Sequence, residues 1–144
     1  MVDVLTPKQR AFCMSRIRSS NTSPEMMLRK CIFRAGLRYR VKSKLIGKPD
    51  IVFPKEKVVV FIDGCFWHGC TLHSKPPSTN QDYWRNKIAM NITRDSKITK
   101  ELEATGWAVI RLWEHDVKAD VDKCKQNVIN VFLKRKKWLA NEKQ

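Results

Sequence analysis

Glycine is scarce in this 144-residue sequence, with five in all, and no cluster of them resembles a phosphate-cradling loop. That lack excludes the P-loop and the dinucleotide fingerprint, both of which need closely spaced glycines. No apolar run approaches membrane-spanning length, and the opening Met-Val-Asp-Val-Leu-Thr-Pro-Lys has no secretory pattern. The expectation is a cytoplasmic, nucleoid-associated protein with no membrane partner. Five cysteines, an odd number at irregular spacings, argue against a disulfide framework and leave metal binding open. Acidic residues are also few: 14 Asp and Glu stand against 29 Lys and Arg, a formal charge of +15. Residues 1–49 hold twelve basic side chains with only Asp3 and Glu25 opposing them. Such a surface favours a polyanion, and nucleic acid is the commonest one.

What is present is one domain's worth of globular chain, 42% hydrophobic and 30% charged. Thr6-Pro7 begins a first helix to about Ile17, and Arg18 to Asn21 form a loop. Ser23-Pro24-Glu25 repeats the start signal. Met27, Leu28, Cys31, Ile32 and Ala35 then space a helical core face that Gly36 ends, with Glu25 either a capping carboxylate, the favoured reading, or a contact to the site. Arg38 to Val41 reads as a short strand, Asp50 to Phe53 as another, and Lys57 to Asp63 as a buried one. A loop follows from Gly64 to about Thr79. A long helix spans Gln81 to Ala104, a strand Trp107 to Trp113, and a last helix about Ala119 to Trp138. The order predicts an α/β fold with one mixed central sheet flanked by helices. Residues 1–22 are expected to be a DNA-contacting helix and loop, and 23–140 the core of a single domain over 1–144.

Cys65 and Cys70 have four residues between them, and His73 follows Cys70 after two. Two thiolates and an imidazole in one loop suit tetrahedral zinc, which wants a fourth such ligand. His115, just past the strand Trp107 to Trp113, is the candidate. A site filled by four protein ligands is structural, closed to water and not catalytic. Cys13, Cys31 and Cys124 fall at apolar helical positions and read as core.

Pro49-Asp50 opens one short strand, and the next ends at Asp63 after twelve intervening residues. A Pro-Asp strand followed by a strand with an acidic end is the skeleton of PD-(D/E)xK nucleases, where carboxylates and a main-chain carbonyl hold Mg²⁺. The lysine expected two residues after Asp63 is Cys65 here. The run Asp63-Gly64-Cys65-Phe66-Trp67-His68-Gly69-Cys70 with His73 resembles the signature of the very-short-patch repair endonucleases. Tyr83-Trp84, Lys87, Asn91, Arg94-Asp95, Gly106-Trp107 and Trp113-Glu114 resemble it too, so the likeness covers about Thr6 to Trp138.

That resemblance implies a restriction-endonuclease-like fold with a structural zinc on Cys65, Cys70, His73 and His115. It implies nicking 5′ to the thymine of a T:G mismatch, the product of 5-methylcytosine deamination. Asp50 and the main-chain carbonyl of Ile62 would hold Mg²⁺, His68 would replace the missing lysine as general base, and Asp95 would orient it. Asn91, four residues before Asp95, shares its helix face. Phe66, Trp67 and Trp84 correspond to aromatics that wedge into DNA beside the mismatch, where a wobble pair unstacks cheaply. Met14 and Ile17 either insert from the opposite groove or pack on the core. Asp63 is a metal ligand in the generic skeleton, whereas the closer likeness uses only the neighbouring carbonyl. The expected partner is double-stranded DNA with a T:G mismatch, bound by a monomer functionally paired with a cytosine-5 DNA methyltransferase. The alternative is a nickase of the same fold acting on undamaged or otherwise modified DNA.

Overall fold

The computed structural model describes residues 22–65 and 80–142. Its elements are α1 (Ser23–Arg34), β1 (Ile51–Phe53), β2 (Val58–Asp63), α2 (Gln81–Ala104), β3 (Ala108–Trp113), α3 (Glu114–Ala119) and α4 (Val121–Glu142). The strands form a three-stranded mixed sheet in the order β1-β2-β3. β1 runs antiparallel to β2, with Ile51 opposite Val60 and Phe53 opposite Val58. β2 and β3 are parallel, and α2 crosses between them. This is the mixed α/β arrangement expected from the order of elements.

The apolar run of β2 is buried on both faces. Val58 and Val60 join Ile51, Phe53, Ile110 and Leu112 beneath Leu28 and Ile32 of α1 and Val128 of α4. Val59 and Phe61 face the other way, onto Val52 and Leu102, with Ile98 of α2 packed against them. A strand covered on both sides has no use for alternating polarity, which is why Val58 to Ile62 carries none. Arg135 of α4 fastens the end of the sheet away from Asp63. It donates to the carbonyls of Glu56 at 3.2 Å and Gly106 at 2.7 Å, tying together the turns that precede β2 and β3.

Several boundaries differ from the sequence reading. Arg38 to Val41 is not a strand. Only Arg40 forms a bridge, to Val52, because the segment meets a β1 just three residues long. The last helix begins at Val121, and the short α3, in which Val117 is fully buried, precedes it. On α1, Leu28 and Ile32 are buried as expected, Cys31 is half-buried and Ala35 is exposed at the C-cap. Cys124 is core; Cys13 and the helix expected over Thr6 to Ile17 lie outside the described residues.

Candidate active site

Where β1 begins and β2 ends, an open cleft of about 460 Å³ is lined by Glu25, Asp50, Ile62, Asp63 and Asp95 together with Lys48, Arg94 and Arg111. Antiparallel pairing of β1 and β2 places Asp50 beside the exit of β2. Its N–H donates to the Val60 carbonyl at 2.9 Å, and its Oδ2 accepts the Ile62 N–H at 2.7 Å. The Asp50 carboxylate is thus pinned to the Ile62 N–H; the resemblance names the Ile62 carbonyl, which this bond does not involve.

Glu25 is not a free capping carboxylate. It is buried, with 3% of its surface exposed, and the cap position Thr22 makes no side-chain cap bond. Instead Glu25 pairs with Arg29 one turn on, at 3.5 Å. Arg29 donates to the Asp50 carbonyl from Nε at 3.2 Å and Nη2 at 2.8 Å. Burial pushes the Asp50 carboxyl up to about 7, and the neighbouring Glu25 adds to the rise. The Ile62 N–H bond and the Arg29 charge oppose it without cancelling it. Two neighbouring carboxylates, each largely withdrawn from water, resist sharing two negative charges, and a hard cation would relieve them. The oxygen donors of Asp50, Glu25 and the Ile62 peptide have the chemistry that Mg²⁺ takes.

Asp95 reaches the cleft from α2. Asn91, one turn earlier, is buried beside it but does not line the cleft, and it accepts from Arg94 at 3.3 Å. Asp63, whose role the sequence left open, is engaged by Arg111 of β3. Nη1 lies 2.9 Å from Oδ1 and 3.2 Å from Oδ2. Arg29 and Arg111 are the site residues that the sequence reading missed, and Glu25 takes the less favoured of its two expected roles, at the site rather than as a cap. Glu25 and Arg29 sit on the same stripe of α1 as Leu28 and Ile32, and charged residues on a buried stripe were the available signal.

Just beyond the cleft, Cys65 Sγ stands 3.1 Å from His115 Nδ1. The Cys65 N–H donates to Glu114 Oε1 at 3.1 Å, and His115 Nε2 faces Asp116 Oδ1 at 3.3 Å. Trp113 stacks on the His115 ring with centroids 6.4 Å apart. A thiol and an imidazole from positions fifty residues apart are therefore side by side, the donor pair that zinc prefers. Cys70 and His73 lie outside the described residues, among which no three histidine, cysteine or carboxylate side chains gather as a metal cluster. His68, Phe66, Trp67, Met14 and Ile17 also lie outside them. Trp84, near the start of α2, is half-buried and meets Tyr83 edge-on at 5.1 Å.

Residues 2–74 match the family model described as DNA mismatch endonuclease Vsr. Among curated proteins, the chain is 43% identical over 130 residues to the type II nicking enzyme V.NmeDIP of Neisseria meningitidis serogroup C, covering 88% of each chain. It is 46% identical over 120 residues to the type II nicking enzyme V.NmeAIP of Neisseria meningitidis serogroup A, covering 82% of this chain and 86% of the relative. The DNA mismatch endonuclease Vsr of Escherichia coli strain K12 is 36% identical over 117 residues, covering 79% of this chain and 74% of that one. No helix of the described residues is long and apolar enough to cross a membrane.

Proposed function

This chain belongs to the DNA mismatch endonuclease Vsr family and is an endonuclease, and from that premise we propose that it nicks one strand 5′ to the thymine of a T:G mismatch. The observation that carries the reading is the cleft at the exit of β2, which Glu25, Asp50 and Asp95 line and where Asp50 accepts from the Ile62 N–H. In this reading the fold is restriction-endonuclease-like. Asp50 and the Ile62 carbonyl would hold Mg²⁺, which when bound would polarise the scissile phosphate and stabilise the departing 3′ oxygen. His68 takes the proton of the attacking water, Asp95 orients His68, and Asn91 supports that turn of α2. Water oxygen bonds to phosphorus as the bond to the 3′ oxygen breaks, leaving a 3′ hydroxyl and a 5′ phosphate. Lys48 and Arg94, the cations beside the carboxylates, offset the charge of the incoming backbone.

Cys65, Cys70, His73 and His115 would hold a zinc ion that is structural in this account, linking ligands far apart in the chain. Phe66, Trp67 and Trp84 wedge beside the mismatch, and residues 1–22 add contacts through Met14 and Ile17. The substrate arises where 5-methylcytosine deaminates, so a cytosine-5 methyltransferase is the functional partner in a nucleoid-associated setting. A second reading has specific support, since both Neisseria relatives are named type II nicking enzymes: a nickase acting on undamaged or otherwise modified DNA. Mg²⁺-dependent nicking of otherwise identical duplexes carrying T:G, U:G or C:G at one position separates the two. Equal rates on T:G and C:G would refute mismatch specificity and leave the second reading.

A further inference from the structure

Arg111 sits in the middle of β3, yet its guanidinium spends every nitrogen on other elements. Nε donates to Thr99 Oγ1 at 2.7 Å, and Nη2 to the Asp95 carbonyl at 3.1 Å, both on α2. Nη1 takes the Asp63 carboxylate at the end of β2. Its carbon lies 4.2 Å from the centroid of the Phe61 ring, the residue directly across the parallel ladder. A planar donor fork satisfied on three sides has little freedom to turn, unlike a lysine ammonium on a flexible stem. The guanidinium is mostly shielded from solvent, 22% exposed, so its bonds are weakly screened.

We propose that Arg111 is a positioning residue for the nicking reaction, fixing the Asp95 turn of α2 against the end of β2 and keeping the Asp63 carboxylate as its own counter-ion. The inference rests on the nuclease reading above. Three observations support it. The bond to the Asp95 carbonyl sets the height of that residue over the sheet, because a main-chain bond cannot be relaxed by a side-chain rotation. The bond to Thr99, one turn later on the same face, fixes the helix rotation as well. The pair of bonds to Asp63 answers the question that the generic nuclease skeleton raises: this carboxylate is spent on Arg111. Misplacing a group in a reactive cleft by about an ångström costs up to roughly a hundredfold in rate, so a strut of this kind shows in kcat.

The test compares the parent, Arg111→Lys, Asp63→Asn, Asp95→Ala and the double variant Arg111→Lys/Asp95→Ala. Steady-state nicking is measured as a function of DNA and Mg²⁺. Lysine keeps the charge toward Asp63 but cannot reach Asp95 and Thr99 together. Arg111→Lys is expected to lower kcat about tenfold with KM for DNA nearly unchanged. Because Arg111 acts through Asp95, adding Arg111→Lys to Asp95→Ala should cost almost nothing further. Asp63→Asn keeps an acceptor oxygen, so half-saturating Mg²⁺ should stay as in the parent although kcat falls about threefold. Independent, multiplying losses from Arg111→Lys and Asp95→Ala would overturn the inference. So would parental kcat in Arg111→Lys, or a several-fold higher Mg²⁺ requirement in Asp63→Asn. If the parent nicks no duplex, the nuclease reading is what fails. Hydrogen exchange then decides the strut by itself: Arg111→Lys must quicken exchange at residues 95–99 without altering the melting temperature, and unchanged exchange there refutes it.

Discussion

Asp50 is the residue on which both chemistry and stability turn. Its carboxyl is pushed up to about 7 chiefly by burial, so the fold favours the protonated form. A raised carboxyl contributes stability that is full below its ordinary value near 4 and is lost as pH rises through 7. Metal-free parent should therefore lose stability between these pH values. Asp50→Asn, which cannot ionise, should be flatter and about 1–3 kcal/mol more stable than the parent at pH 8. Urea unfolding of both proteins at pH 5 and pH 8 checks this, and parallel slopes would contradict it. Function runs the opposite way: Mg²⁺ needs the ionised carboxylate, so half-saturating Mg²⁺ should fall from pH 6 to pH 8, and Asp50→Ala should abolish nicking. A histidine with an ordinary value near 6.5 can accept a proton around neutrality, which an unperturbed lysine cannot. His68→Ala should therefore leave DNA binding nearly intact while slowing single-turnover nicking by about a hundredfold or more. Parental rates across pH 6 to 9 would assign the base elsewhere.

At the scale of elements, the cleft depends on how closely α2 lies over the turn before β1. Gly47 in that turn has φ +77°, and a Cβ there would stand 2.7 Å from Ile98 Cγ2 and 3.3 Å from the Phe61 ring. Gly36 has φ +94° but open space around it. Ala at position 36 should cost only backbone strain, about 1 kcal/mol, whereas Ala at 47 adds a clash against the helix that carries Asp95. We expect Gly47→Ala to be the more destabilising by at least about 1 kcal/mol and to slow nicking, while Gly36→Ala leaves the rate unchanged. Urea midpoints and rates for the pair would show it. Elements like these were legible where local pattern and burial agree. The apolar run of β2 and the 24-residue α2 read correctly because burial on two faces and helical spacing both mark the sequence directly. The bridge at Arg40 and the break before α4 were not legible, since each depends on what lies opposite. Glu25 shows the same limit inside the site. A carboxylate in a first helical turn looks like a cap, and only the fold brings Asp50 to its side. The nearness of Cys65 to His115 was legible because a search for a fourth ligand narrows the partners of a thiol to a few residue types, whether or not a metal joins them.

The whole molecule sets a basic exterior against a cleft whose charges nearly balance. Its formal charge is +15, yet Glu25, Asp50, Asp63 and Asp95 line one cavity with Lys48, Arg94 and Arg111, and Arg111 is already committed to Asp63. Attraction to duplex DNA must therefore come mainly from basic residues outside the cleft, while inside it the ionised Asp50 carboxylate opposes the scissile phosphate until a cation binds. Two consequences can be separated experimentally. Binding should fall steeply with salt, because each phosphate neutralised by Lys or Arg releases condensed counterions. A loss of about a hundredfold between roughly 50 and 200 mM salt would correspond to about four phosphate contacts. Without Mg²⁺, Asp50→Ala should bind a matched duplex at least as tightly as the parent, since it removes a carboxylate facing the backbone while sparing the surface cations. Trp67→Ala should leave that salt slope unchanged and narrow the difference between T:G and C:G duplexes, because a wedge selects through unstacking rather than charge. Fluorescence anisotropy with both duplexes at four salt concentrations measures all three quantities. A flat salt dependence would refute the electrostatic account of binding. Weaker metal-free binding by Asp50→Ala at unchanged stability would refute that opposition, because the carboxylate would then be assisting the phosphate's approach.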